Sequence, residues 1–251
     1  MKGLLKIAST TFLALMVRFF VRRYDLPQFQ RVLILAPHPD DEIFGLGGSL
    51  LQMKNRGVSI HLVYVTDGEG SAVWPDKEEI KSQRRILSEK VCRELNILKD
   101  NITRLQMPDG AVPKSGQKGF EDTVKRVRDL IDTVRPDVVY TTHILDYWPF
   151  DHVACSEIAM EAIKQAKHKP QLWQYWVWAW YNMKPWQVFG QGFRRLKKID
   201  IRDQITQKMR LKDLYLKSFT LDGKPWSGIL PQCLLKSLEI PFEIVQQISF
   251  E

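Results

Sequence analysis

The chain has 251 residues, 44% hydrophobic and 26% charged, so it can bury a full core and has the composition of an ordinary soluble globular protein. Its formal net charge of +8 indicates attraction to an acidic partner, such as a membrane surface, nucleic acid or an anionic substrate, without choosing among them. The 3 cysteines are widely spaced and form no Cys-x-x-Cys pair, which argues against a disulfide framework and a thiolate zinc site. A reducing, cytoplasmic compartment is predicted.

Residues 1–30 form a basic, partly apolar segment ahead of the main domain. Its apolar run, residues 12–17, lies between Lys6 and Arg18 and is shorter than the about 20 apolar residues that a membrane-spanning helix needs. Basic residues stand where a secretory signal would have its small-residue cleavage site. Two interpretations remain open. Residues 1–23 form either a basic amphipathic helix on the cytoplasmic face of an anionic membrane or a helix packed on the domain.

From residue 31 onward, strand-like and helix-like patterns alternate. Apolar runs predict strands at residues 32–36, 60–66, 103–107 and 138–142. Helices are predicted at residues 43–57, from Asp76 with Glu79 completing a capping box, at residues 120–134, and from Asp151. An aromatic run at residues 172–181 predicts a buried fifth strand. The chain is therefore predicted to form an α/β fold, a Rossmann-like doubly wound, mostly parallel sheet, in a single domain over residues 31–251.

Polar side chains follow the predicted strands where each strand ends. His38, Asp40 and Asp41 follow the first strand, Asp109 the third and His143 the fourth. Ligands of such sheets bind beyond the carboxyl ends of the strands, so these side chains are expected to gather at one edge. The turn after the first strand lacks the glycines of a dinucleotide site, and its carboxylates would repel phosphates. Nicotinamide cofactors and nucleic acid are therefore not expected as partners.

Histidine and carboxylate ligands without sulfur suit a divalent metal, namely zinc with iron or manganese as substitutes. His38 and Asp41 are three residues apart across a tight turn and are placed to reach one ion. His152, one turn into the fourth predicted helix, is the best third ligand. The alternative for the Asp151-His152 pair is a helix cap followed by a packed core histidine.

The segment Ala36-Pro-His-Pro-Asp-Asp-Glu42 resembles the Ala-His-Pro-Asp-Asp-Glu signature of the PIG-L/LmbE family of zinc-dependent N-acetylglucosaminyl deacetylases, with one extra proline. Further segments of this chain resemble other motifs of the family and occur in the same order. They are Thr66-Asp67-Gly68-Glu69, Arg84, Pro108-Asp109-Gly110 and Asp151-His152. The resemblance covers residues 31–167. It implies an LmbE-like fold and a metal-dependent hydrolase that deacetylates an N-acetylated amino sugar, which is a glycan, a glycoconjugate or a lipid-linked sugar.

The resemblance also implies roles for individual residues. His38, Asp41 and His152 would hold the zinc, and Asp40 would be the general base. Asp151 would orient a catalytic partner. Arg84 and Asp109 would hold sugar hydroxyls or a phosphate, although Arg84 has the alternative of a surface arginine lying over an apolar helix stripe.

One departure from the family pattern concerns its His-Pro-Asp-His motif. This chain has Trp148-Pro149-Phe150-Asp151-His152, so the first histidine of the motif is absent. His143, at the end of the fourth predicted strand, is the candidate replacement. The missing histidine also keeps a second hypothesis open, a catalytically silent glycan-binding or membrane-binding protein on the same fold.

Overall fold

The computed structural model describes residues 2–71, 73–184 and 195–250, with side chains from residue 6 onward. In these ranges one sheet carries helices on both faces. Its strands are β1 (Arg22–Arg23), β2 (Arg31–Ala36), β3 (Ser59–Thr66), β4 (Ile102–Met107), β5 (Val138–Thr142), β6 (Gln171–Tyr175), β7 (Leu196–Asp200) and β8 (Phe242–Ile248). The helices are α1 (Lys2–Phe20), α2 (Asp41–Asn55), α3 (Lys77–Glu94), α4 (Phe120–Val134), α5 (Phe150–Gln165), α6 (Ala179–Asn182), α7 (Ile205–Leu216) and α8 (Gln232–Ser237).

The strand order is β1-β7-β8-β6-β5-β2-β3-β4. Every neighbouring pair is parallel except the pairs that β8 forms with β6 and with β7. The predicted mostly parallel, doubly wound fold is therefore confirmed, and its first four predicted strands correspond to β2, β3, β4 and β5.

The position of β2 inside the sheet, with both faces covered, explains why its sequence is apolar without alternation. Val32 and Ile34 belong to the core on the sheet face that carries α2 and α3, whereas Leu33 and Leu35 belong to the core with α4 and α5. A strand covered on both faces needs an apolar side chain at every position. The strand then ends at the loop with His38, which leaves that residue at the carboxyl edge of the sheet.

Two local predictions need correction. Asp76 caps α3 by accepting hydrogen bonds from the amides of Glu78 and Glu79, but the Glu79 carboxylate accepts from Trp74 Nε1 at 2.5 Å and does not complete a capping box. The strand predicted at 172–181 ends at Tyr175, and α6 follows. The chain turns there because one carboxylate, that of Asp146, accepts hydrogen bonds from the backbone amides of residues 177, 178 and 179.

Helix α1 packs on the domain. Leu13 and Val17 are buried, and Thr10 Oγ1 donates a hydrogen bond to the carbonyl of Trp180. The structure thus shows the packed helix, and the membrane interpretation stays a prediction. Across the described ranges, every helix falls short of the length and apolarity that crossing a bilayer would demand.

The glycines of α2 allow close packing. A Cβ atom on Gly45 would lie 2.2 Å from Tyr175 Cδ2, and one on Gly48 would lie 2.5 Å from Ile201 Cγ2. These residues lie inside the helix, as expected, and not in a phosphate-binding turn. They let α2 lie directly against the end of β6 and the segment before α7, which fixes the amino end of α2 at the carboxyl edge of the sheet.

Candidate active site

The loop between β2 and α2 brings three predicted site residues to that edge. Asp40 has a φ of 131°, a strained value for a residue with a side chain, which is stabilised by its surroundings. The backbone amide of Asp40 donates to Glu42 Oε2 at 2.9 Å, and Tyr215 Oη donates to Glu42 Oε1 at 2.6 Å. Burial raises the pKa of Glu42 to about 6, against the lowering effect of the Tyr215 hydrogen bond. Glu42 therefore anchors the loop to α7.

His38, Asp41 and His152 meet as the sequence predicts. Their ligand atoms lie within 4.8 Å of one another, and all three residues are buried. Asp41 Oδ2 lies 3.1 Å from His38 Nδ1 and 3.2 Å from His152 Nε2. Two imidazoles facing one carboxylate offer the nitrogen and oxygen ligands of a zinc site.

The fit to a metal is supported by one unsatisfied atom. His152 Nδ1 lies 3.1 Å from Asp146 Oδ2, which places the proton on Nδ1 and the lone pair on Nε2. His152 Nε2 is buried and has no assigned hydrogen-bond partner among the described residues, although it lies 3.2 Å from Asp41 Oδ2. A carboxylate that orients the outer nitrogen of a ligating histidine is typical of zinc sites. The donor set therefore fits a divalent ion.

The electrostatics of the cluster agree with this assignment. Burial would lower the pKa of His152, but the charge of Asp41 and the hydrogen bond to Asp146 outweigh it and raise the pKa to about 9. Burial would raise the pKa of Asp41, but the two histidines hold it well below its usual range. The pocket thus stabilises positive charge beside Asp41. A metal ion bound here would provide such charge in place of the imidazole protons.

Arg84 is buried and holds Asp40. Its Nη2 lies 2.9 Å from Asp40 Oδ2 and donates to the carbonyl of Pro39 at 2.7 Å, while Nη1 donates to the carbonyl of Gly68 at 3.2 Å. Burial raises the pKa of Asp40 to about 8, against the lowering charge of Arg84. The alternative of a surface arginine is wrong. Gly68 is required at its position, since a Cβ there would lie 2.4 Å from Arg84 Cζ.

Asp109 and Asp151 both approach the outer nitrogen of His38. Nε2 lies 3.0 Å from Asp109 Oδ1 and 3.3 Å from Asp151 Oδ2. Asp151 also accepts hydrogen bonds from the amides of Gly110 and Val112, at 2.7 and 3.1 Å. Burial would lower the pKa of His38, but these carboxylates and Asp41 raise it well above its usual value. Asp151 therefore joins the loop after β4 to the start of α5 and to His38.

His143 is not brought together with the other predicted site residues. It is buried, its Nε2 donates to Gln246 Oε1 at 3.0 Å, and its Nδ1 accepts from the amide of Leu145 at 3.0 Å. Both ring nitrogens are thus engaged, and the residue does not line the cavity at the site. Burial lowers its pKa. These contacts join β5 to β8 and give His143 a structural role in place of the expected replacement for the motif histidine.

Asp146 follows the fourth predicted strand and was expected at the same edge, but the sequence did not indicate its contact with His152. The Asp146 carboxylate contacts His152 Nδ1 and also accepts hydrogen bonds from three backbone amides just after β6. Its position six residues before a candidate ligand histidine was the available signal, because ligating histidines commonly donate their second nitrogen to a carboxylate.

A cavity of about 700 Å³ opens above the cluster. Its floor is polar and mostly acidic, formed by His38, Asp40, Asp41, Arg84 and Asp109. Its walls are largely apolar and come from α2, the loop before α3, the turn before α5, the turn before α6, and residues 224–230. The apolar wall residues are Phe44, Val73, Trp148, Pro149, Phe150, Trp178, Ile229 and Leu230. Pro149 and Phe150 thus line the site where the family motif has other residues.

Similar solved structures share this fold. The N,N'-diacetylchitobiose deacetylase from Pyrococcus horikoshii has a TM-score of 0.62 and 20% identity, over 86% of this chain and 80% of that chain. The 4-carboxy-2-hydroxymuconate hydratase from Pseudomonas putida has a TM-score of 0.64 and 15% identity, over 88% and 97%. At these identities the likeness concerns the fold alone.

Sequence comparison adds curated relatives and a family. A probable N-acetyl-alpha-D-glucosaminyl L-malate deacetylase 2 of Bacillus subtilis is 24% identical over 143 residues, 55% of this chain and 62% of the relative. The 4-oxalmesaconate hydratase of Pseudomonas putida is 26% identical over 159 residues, 59% of this chain and 58% of the relative. The chain thus spans about three fifths of the length of these relatives. The model of the PIG-L family, described as GlcNAc-PI de-N-acetylase, matches residues 33–163, more than half of the chain. The chain belongs to the PIG-L family.

Proposed function

We propose that this chain is a zinc-dependent hydrolase that removes the acetyl group from an N-acetylated amino sugar. The observation that carries the proposal is the convergence of His38, Asp41 and His152, of which His38 and Asp41 line an open cavity beside Asp40. The curated relative named as an N-acetyl-alpha-D-glucosaminyl L-malate deacetylase supports the reaction class.

The metal site would supply the electrophile and the activated water. Zinc held by His38, Asp41 and His152 would lower the pKa of water at the site to about 7 and would polarise an amide carbonyl. Asp40 lines the cavity next to these ligands, where the charge of a bound metal ion would favour its ionised form, and it accepts the proton of the attacking water as general base. It then passes that proton to the departing amine.

Arg84 positions the base in this mechanism. Arg84 donates a hydrogen bond to Asp40 Oδ2. Among the described residues none donates to Asp40 Oδ1, so Oδ1 is the oxygen that can accept the proton of the attacking water. Asp109 lines the cavity and is placed to meet a sugar hydroxyl, whereas Asp151 orients His38. The sugar-binding role first expected for Arg84 is thus secondary to its contact with Asp40.

Hydration of an unsaturated polycarboxylate is the second candidate, because one curated relative is a hydratase. The cavity favours the sugar amide. Its floor carries the carboxylates of Asp40, Asp41 and Asp109, and the arginine and lysine among its described lining residues are paired, Arg84 with Asp40 and Lys224 with Asp222 at 2.8 Å. Several carboxylates on one substrate would meet like charge there.

Acetate release tests the proposal. The full chain is incubated with free, nucleotide-linked and lipid-linked N-acetylhexosamines, with chelator and after zinc is restored, while bound metal is measured. We expect acetate release that the chelator stops and zinc restores. Zinc binding without turnover of any of these sugars would favour the catalytically silent glycan-binding protein, and hydration of 4-oxalmesaconate would favour the hydratase.

Variants separate the base from the metal site. Asp40→Asn is expected to abolish turnover and to keep zinc, because Asp40 is not a ligand in the proposed set. Asp129→Asn, which changes an exposed carboxylate of α4, is the matched control and is expected to match the unmodified chain in both measurements. Full turnover by Asp40→Asn would show that another group is the base.

A further inference from the structure

Helix α1 leaves one apolar stripe uncovered. Leu13 and Val17 pack into the core, whereas Phe12, Leu15 and Phe19 have exposed fractions of 50%, 47% and 75%. The spacing of these three residues, three and four positions apart, places them on one side of a helix. Exposed apolar side chains that form a contiguous patch typically mark an interaction surface.

Basic residues border the end of this stripe. Arg18 is exposed at the end of α1, and Arg22 and Arg23 are exposed on β1. In the sheet, Arg22 pairs with Lys197 and Arg23 with Lys198 of β7, so two basic strand segments lie side by side. Among the described residues, Asp25 and Asp200 are the acidic residues within salt-bridge distance of this group, and both approach Arg23. The surface therefore combines apolar side chains with a positive border.

The other end of α1 reaches the cavity rim. Lys6 Nζ lies 4.5 Å from the ring centroid of Tyr181, and the Tyr181 ring packs edge-on to Trp178 at 5.8 Å between centroids. Trp178 packs in the same way against Trp148 at 4.8 Å. Trp148 and Trp178 both line the cavity, so a continuous series of contacts joins α1 to the mouth of the candidate active site.

We propose that the exposed face of α1, with the basic border on β1 and β7, docks on an anionic lipid bilayer. Phe12, Leu15 and Phe19 insert between the lipid headgroups, and the basic residues contact anionic phosphates. The positive charge of this surface favours an anionic bilayer over a second copy of the chain, because a second copy would place an identical positive border against this surface. Docking holds the aromatic rim of the cavity beside the lipid surface.

Vesicle sedimentation of the full chain tests this proposal. The vesicles contain phosphatidylcholine alone or phosphatidylcholine and phosphatidylglycerol in equal parts. We expect binding to the anionic vesicles, weakened by salt, and little binding to the neutral ones. The double variant Phe12→Asp/Phe19→Asp is expected to bind at least about tenfold more weakly, since one buried phenyl group accounts for about that factor. Leu98→Asp, which changes a residue with an exposed fraction of 69% just before β4, at the edge of the sheet opposite β1, is the control and should bind as the unmodified chain does.

Hydrogen exchange of the unmodified chain provides a test that requires no variant. Anionic vesicles should protect the amides of α1 and β1 beyond their protection in buffer. The proposal is overturned if anionic vesicles are not bound, if neutral vesicles are bound equally, or if the double variant binds like the control. A dimer that the double variant dissociates, without vesicle binding, would overturn it in favour of a second copy on this face. None of these outcomes depends on deacetylase activity.

Discussion

Removing the amine of Lys208 should destabilise the fold far more than removing a surface lysine from the same region. Lys208 Nζ lies 2.8 Å from Glu243 Oε1, and the two side chains are only 3% and 2% exposed. Lys208→Met keeps an apolar stem of similar length and leaves the Glu243 carboxylate without its cation. Breaking a buried ion pair costs about 3–5 kcal/mol. Glu243 retains hydrogen bonds from the amides of Gly48 and Ser49 and from Ser49 Oγ, so we expect a loss of about 3 kcal/mol.

Urea unfolding followed by circular dichroism at neutral pH measures this loss. The control is Lys217→Met, because Lys217 pairs with Asp213 at 2.6 Å at the end of α7 but its side chain is 70% exposed. Exposed pairs contribute about 0–1 kcal/mol, so the control should change the free energy of unfolding little. The double variant Lys208→Met/Glu243→Gln should recover part of the stability, since it leaves no unpaired charge and keeps one oxygen that can accept a hydrogen bond from the amide of Gly48 or Ser49. Equal losses for Lys208→Met and Lys217→Met would refute the reasoning.

Three further changes test the site and its support. Asp146→Asn should weaken zinc binding about 10–100-fold, because Asp146 orients His152, and equilibrium dialysis against zinc measures it; unchanged affinity would contradict the assignment of His152. Tyr215→Phe removes the hydrogen bond to Glu42 and should lower the free energy of unfolding by about 1.5–3 kcal/mol in urea, whereas no loss would show that Glu42 is anchored otherwise. Gly48→Ala places a Cβ atom 2.5 Å from Ile201 and should cost about 1–3 kcal/mol, measured by thermal unfolding; a stabilised variant would mean that α2 and Ile201 move apart freely.

The local pattern of the sequence determined the central strands and the ligands closest in sequence. Residues 32–36 carry apolar side chains at every position because both faces of β2 are covered, and that pattern is visible without a structure. His38 and Asp41 are neighbours across one tight turn, so their proximity depends on local geometry alone. The limits of α4, predicted at residues 120–134, also agree with the structure, because its apolar residues follow one helical stripe.

Contacts between distant segments required the tertiary structure. The short strand β1 and the insertion of β8 between β6 and β7 follow from pairing between segments far apart in the chain, which leaves no periodic signal. The early end of β6 is fixed by Asp146, whose carboxylate lies 31 to 33 residues away from the amides that it accepts. The predicted strand was longer because the aromatic residues continue beyond Tyr175. Those later aromatic residues are also buried, although they lie outside β6.

The candidate site was likewise determined partly by the sequence and partly by the tertiary structure. The sequence determined which residue types stand at the carboxyl ends of the strands, and hence the edge where the site forms. Only the tertiary structure decided the direction of each side chain: His152 faces Asp41 because Asp146 holds its other nitrogen, Arg84 reaches Asp40 across 44 residues, and His143 turns to Gln246. The backbone position of a residue at the end of a strand follows from the strand itself. The rotamer of its side chain depends on hydrogen-bond partners that folding brings from elsewhere in the chain.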